Sequence, residues 1–98
     1  MRPLQIFFLW LSFITPAVAS PTLLVVGDSL SAGYGLDRGQ GWVDIIASRP
    51  QEILGTDLNI LNASISGETT TGGLSRLPGL LRRHQPTAVL IALGANDG

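Results

Sequence analysis

Beyond residue 20 the apolar positions alternate between two periods. Thr22 to Val26 is a short leucine and valine run that stops at Gly27, Leu58 to Leu61 is a second run, and Ala88 to Leu93 (AVLIAL) is a third. Each has strand length and is bounded by glycine, asparagine or aspartate. Between the runs the period becomes helical. Trp42, Ile45 and Ile46 stand at i, i+3 and i+4 within Gly41 to Arg49, and Leu74, Leu77 and Leu81 at i, i+3 and i+7 within Thr70 to His84. The first spacing predicts a helix whose face, Trp42 included, packs into the core rather than stacking on a sugar. The second predicts a helix that ends in Arg82 and Arg83, where its dipole favours cations. Pro78-Gly79 falls inside that helix, and an interior proline costs about 3 kcal/mol. A bend or a late start near Ser75 is therefore expected.

Strands separated by helices imply right-handed crossovers and a parallel α/β sheet. AVLIAL has no polar face, the pattern of a central strand covered on both sides. At a sheet edge such a strand would be an aggregation hazard, and only GANDG follows it. Residues 20–98 are thus expected to be the amino-terminal part of a larger domain.

Residues 1–19 follow a different pattern: Arg2, an apolar stretch from Leu4 to Ile14, Pro16, and the small-residue triplet Ala17-Val18-Ala19. This is the form of a secretory signal peptide cleaved after Ala19. The apolar stretch is well short of the ~20 residues that span a bilayer, so no stable membrane anchor is expected. Without a twin-arginine pair the general export route is favoured, and a periplasmic or secreted product follows. The sequence contains no cysteine, which excludes a disulfide framework, a thiol nucleophile, a cysteine zinc site and a lipidated cysteine.

Charge narrows the function classes further. Six bases against seven acids give a net −1, so there is no basic surface to neutralise a nucleic-acid backbone. Gly33-x-Gly35 is followed by Arg38 where a dinucleotide fingerprint needs glycine, and a chain without lysine has no phosphate-binding P-loop. No cluster shows metal-ligand spacing. Ser31 stands where the G-x-S-x-G elbow needs its second glycine. Asn62-Ala63-Ser64 is formally a glycosylation sequon, but at a strand end local hydrogen bonding is the simpler expectation.

The strands end in Gly27-Asp28-Ser29, in Asn62-Ala63-Ser64 leading to Gly67, and in Gly94-Ala95-Asn96-Asp97. In an open parallel sheet ligands bind outside these carboxyl ends. A serine hydroxyl there becomes a nucleophile only with a base and with donors for the oxyanion it creates. The Ser29 and Gly67 backbone N–H groups and the Asn96 amide are the candidate donors. Glu68, next to Gly67, reads as a solvated turn acid.

GDSLSAGYGL, NASISGETTTGGLSRLPGLLRRHQP and GANDG, in that order, resemble the first three sequence blocks of the GDSL, or SGNH, hydrolases. The resemblance covers nearly all of Thr22 to Gly98 and is closest to the bacterial periplasmic thioesterase and lysophospholipase type. It implies a flavodoxin-like three-layer α/β fold, here incomplete, and a serine hydrolase that needs no cofactor. Its substrate would be a small carboxylic ester or acyl thioester, cleaved through an acyl-serine intermediate. Ser29 matches the nucleophile and first oxyanion donor, and Gly67 and Asn96 match the other two donors. Asp28 and Asp97 match acids that organise loops and do not belong to the triad. A carbohydrate O-deacetylase of the same family is an alternative, and so is a non-catalytic product or binding module.

The family's remaining block, Asp-x-x-His, has no counterpart in these 98 residues. His84 is the only histidine, and its place at a helix end is explained by the dipole alone. The activating pair is expected beyond Gly98, and the 98-residue chain alone is expected to be inactive. Expressed with its leader intact, the full-length protein should be recovered outside the cytoplasm with Ser20 as its first residue, as read by intact mass and amino-terminal sequencing. Exported protein that still carries residues 1–19 would instead mark that segment as an anchor.

Overall fold

The computed structural model describes residues 21–98; residues 1–20, which hold the expected leader and its cleavage point, lie outside the described residues. Three strands, β1 (Thr22–Gly27), β2 (Asn59–Asn62) and β3 (Ala88–Ala92), form a parallel sheet in the order β2-β1-β3. Thr22 pairs with Asn59 on one edge of β1, and Leu23 with Ala88 and Gly27 with Ala92 on the other. The crossovers carry four helices: α1 (Ser29–Ala32), α2 (Trp42–Ser48), α3 (Pro50–Leu54) and α4 (Thr70–His84).

The buried centre of this sheet is β1, where Leu24, Val25 and Val26 are at most 1% exposed. Among the described residues β3 pairs only with β1, and Val89, Leu90 and Ile91 remain exposed. β3 thus stands at one edge of these three strands while carrying the two-sided apolar pattern of a strand made for cover on both faces.

α4 is continuous from Thr70, without the late start expected from Pro78. Proline removes the donor that the Leu74 carbonyl would otherwise meet. Leu74 and Pro78 both lie on the exposed side, where water can take that role. The face that α4 turns inward is also not the leucine row. Leu74 is 69% exposed, whereas Gly73 and Leu80 are buried, with Leu77 partly so. Leu80 packs with Leu24 and Val26. A Cβ on Gly73 would stand 2.5 Å from Leu93 Cδ1, so the missing side chain lets the helix lie close to the sheet.

α2 is likewise displaced by one position. Val43 is buried while Trp42 and Ile45 are each 37% exposed, so Trp42 is not the core residue its spacing predicted. Gly41, buried at the start of α2, approaches the Gly33 backbone so closely that a Cβ there would lie 3.3 Å from the Gly33 Cα. This contact sets α2 against α1, with Val43 rather than Trp42 turned inward. α3 begins with Pro50 in its first turn and closes at Gly55, whose φ of 75° is left-handed.

The start of α4 is capped three times. The Thr69 hydroxyl accepts from Gly72 N–H at 3.0 Å, Glu68 Oε1 accepts from Thr69 N–H at 3.2 Å, and Asp97 Oδ1 accepts from Thr70 N–H at 2.8 Å. The Thr70 hydroxyl also donates to Asp97 Oδ2. These bonds satisfy helix donors that have no intrahelical partner, and a carboxylate is favoured at this end of the dipole. The Thr70 hydroxyl, and then its N–H, hold the Asp97 carboxyl below the usual carboxylate range.

Two expectations follow from these contacts. A methyl group on residue 27 would lie 2.6 Å from Ser31 Oγ and 2.7 Å from its Cβ, so Gly27→Ala should destabilise the full-length protein. The expected loss is about 1–3 kcal/mol, read as a lowered urea midpoint at unchanged slope. Thr70→Val removes the principal cause of the Asp97 shift, so the carboxyl should titrate closer to its ordinary value, as followed by carbon-detected NMR. Because the folded value is depressed, the stabilisation is present above the ordinary carboxylate range. It is lost as pH falls through the lowered value, and the valine variant should therefore lose less stability below about pH 4.

Candidate active site

Ser29 is the first residue of α1, one residue beyond the Gly27-Asp28 step at which β1 ends. Asp28 caps this short helix: it is buried in extended conformation, and its Oδ1 accepts from Leu30 N–H at 3.1 Å. The turn closes when Gly33, at φ 79°, donates to the Ser29 carbonyl at 3.1 Å. Ser29 itself is half-buried, and as a first-turn residue its N–H has no acceptor within the helix. The contact between Gly27 and buried Ser31 draws α1 onto the end of β1.

The segment after β2 is fastened to the same place. Ala63 N–H donates to the Val25 carbonyl at 2.8 Å and Ile65 N–H to the Gly27 carbonyl at 3.0 Å, which carries the edge pairing past β2 itself. Asn62 Nδ2 donates to the Ser31 carbonyl at 2.8 Å, and its Oδ1 accepts from Ser64 N–H at 3.1 Å. The sequon asparagine thus makes the local bonds expected of it. A turn from Ile65 to Glu68, closed by a 3.1 Å bond, has Gly67 at its third position with φ 84°. That conformation favours glycine and leaves Gly67 exposed at the turn.

Asn96 lies in a comparable turn, from Gly94 to Asp97, closed by a 3.2 Å bond. Its Nδ2 donates to the Glu68 carbonyl at 3.0 Å, so it adjoins the residue after Gly67. All three sequence-selected residues therefore stand at the carboxyl end of one sheet, Ser29 at the start of α1 and Gly67 and Asn96 in turns, linked by hydrogen bonds through Gly27, Ile65 and Glu68. Asp28 and Asp97 both accept backbone hydrogen bonds beside them, the loop-organising work expected of them.

Glu68 is not the solvated acid its turn position suggested. Its side chain is 12% exposed and forms an ion pair with Arg76 of α4 at 3.0 Å, Nη1 to Oε2, while Arg76 Nη2 donates to the Ala63 carbonyl at 2.9 Å. Arg76 escaped the sequence reading. The available signal was its position three residues after Gly73 and four before Leu80, on the face that packs inward. His84 lies at the opposite end of the molecule, lining an open cavity with Thr22, Asn59 and Ile60 at the amino ends of β1 and β2. Beside the Ser29 loop, Asp28, Leu30, Ser31, Trp42, Ala92, Leu93 and Ala95 surround an open cavity of about 370 Å³.

No helix among the described residues is long and apolar enough to cross a membrane. Residues 25–98 match the model of the GDSL-like lipase/acylhydrolase family. Esterase TesA of Pseudomonas aeruginosa is 52% identical over 88 residues, which are 90% of this chain and 43% of that protein. Thioesterase 1/protease 1/lysophospholipase L1 of Escherichia coli is 47% identical over 92 residues, 93% of this chain and 42% of the relative. Among solved structures, psychrotrophic esterase EstA of Pseudoalteromonas, inhibited by monoethylphosphonate, superposes with a TM-score of 0.71 at 49% identity, covering 81% of this chain and 43% of that one. The SGNH-hydrolase family esterase AlinE4 gives 0.73 at 36% identity, over 84% and 44%. The chain thus spans less than half the length of these relatives. With 74 consecutive residues under the family model and the three-stranded parallel fold shared, this chain belongs to the GDSL-like lipase/acylhydrolase family.

Proposed function

We propose that the full-length protein is an exported serine hydrolase that cleaves carboxylic esters or acyl thioesters. The observation that supports it most is the tethering of the Ser29, Gly67 and Asn96 loops to one another at the carboxyl end of the sheet. The relatives named as esterases and a thioesterase point the same way. Export rests on residues 1–19 acting as a cleaved leader.

In this mechanism Ser29 Oγ attacks the acyl carbonyl carbon as a histidine base takes its proton. The base, and the aspartate that orients it, come from the part of the protein beyond Gly98. The carbonyl oxygen becomes an oxyanion that accepts from the Ser29 N–H, the Gly67 N–H and Asn96 Nδ2–H. The side-chain amide nitrogen of asparagine has two hydrogens. One of those on Asn96 is directed to the Glu68 carbonyl, which leaves the second for the oxyanion. When the tetrahedral intermediate collapses, the alcohol or thiol leaves with the proton that the histidine returns. Water then attacks the acyl-serine by the same route and releases the carboxylic acid.

An alkyl fluorophosphonate should label the full-length protein at Ser29, located by peptide mass spectrometry, and Ser29→Ala should abolish both labelling and ester hydrolysis. Undiminished hydrolysis in Ser29→Ala would remove Ser29 from the chemistry. Asn96→Ala should lower kcat by about 10²–10³, the effect of losing one oxyanion donor. Long-chain acyl esters should be hydrolysed in preference to acetylated glycans; the reverse order would favour the O-deacetylase alternative.

A further inference from the structure

We propose that Arg76 is a positioning residue for the oxyanion donors, acting through Glu68 on the turn that carries Gly67 and, through that turn, on the Asn96 amide. The inference rests on the hydrolase reading above and adds a residue that takes no part in the chemistry itself.

The guanidinium of Arg76 is a planar fork with fixed angles between its donors. Here the fork straddles the loop: Nη1 holds the Glu68 carboxylate at 3.0 Å, and Nη2 holds the Ala63 carbonyl at 2.9 Å. Ala63 precedes the turn in which Gly67 sits at φ 84°, and Glu68 is the residue that closes it. One rigid group on a fifteen-residue helix therefore fastens both ends of the segment that aims the Gly67 N–H. The Glu68 backbone extends the same control to the second donor, since its carbonyl receives Asn96 Nδ2 at 3.0 Å. A rotation of Glu68 would move Gly67 and Asn96 together.

The pair is well placed to resist such a rotation. The Glu68 side chain is 12% exposed and that of Arg76 30%, so water competes less than at an exposed ion pair. Glu68 Oε1 also accepts from Thr69 N–H at 3.2 Å, so the carboxylate is held from two sides. Lysine at 76 could keep the charge but not both hydrogen bonds in one plane. Oxyanion donors act on charge that develops in the transition state, so their misplacement should fall on kcat and leave KM nearly unchanged.

The test uses the full-length protein, with wild type and Ser29→Ala as references and p-nitrophenyl butyrate as substrate. Rates are expressed per site titrated by a fluorophosphonate, so that misfolded molecules do not count. Arg76→Lys is expected to lower kcat by about 10- to 100-fold, with KM within about twofold, the scale of a small misplacement in a site. An alkylboronic acid, whose tetrahedral adduct on Ser29 places an oxygen in the oxyanion position, should bind more weakly by the same factor. Glu68→Gln keeps an acceptor but loses the charge and should show a smaller loss in the same sense. Added guanidinium should restore part of kcat in Arg76→Ala; if that variant does not fold, the two conservative variants decide the matter.

A kcat per titrated site within twofold of wild type in both Arg76→Lys and Glu68→Gln would overturn the proposal. So would a loss confined to KM or to the melting temperature. An inactive wild type, or an active Ser29→Ala, would instead remove the hydrolase reading and take this inference with it.

Discussion

Both hydrogen-bonded edges of β1 are occupied, and the site depends on that pairing. Its carbonyls receive β2 and the segment beyond it on one side, while β3 lies in register on the other. Leu24, Val25 and Val26 bury both faces of the same strand. A strand held on four sides has little freedom, so its last residue is a fixed point in space. Three loops leave from beside it: one begins with Ser29, one carries Gly67 and one carries Asn96.

α4 serves as the second reference. It meets the β3 loop through Thr70 and Asp97, the β2 loop through Arg76, Glu68 and Ala63, and the sheet through Gly73 and Leu80. The polar contacts come from residues where a charge or hydroxyl satisfies backbone groups that would otherwise be unpaired. Capping of the helix and alignment of the loops are therefore achieved by the same hydrogen bonds.

Much of this was legible in the chain. Three apolar runs gave strands within a residue or two of their observed bounds, and α4 spans the segment that its leucines outlined. The residues at the strand ends lie together because parallel strands all point one way. What periodicity could not supply were α1 and α3, of four and five residues, which hold too few turns to show a repeat. Nor could it supply the rotation of α2 and α4. In both, a glycine contact decided which side faces inward, and a residue without a side chain leaves no mark in a hydrophobic pattern. The Arg76 and Glu68 pair was hidden for a related reason, since each looks like a surface charge until the turn and the helix are placed side by side.

Gly27 carries several of these duties at one position. Its carbonyl receives Ile65, its backbone pairs with Ala92, and its bare Cα admits Ser31. Substitutions at 27 and 31 should accordingly be epistatic: a side chain gained at one is compatible only with a side chain reduced at the other. Ser29 lies between these two coupled positions, so its surroundings change by paired steps rather than single ones. Routes by which such a loop could drift while keeping its serine in place are correspondingly few.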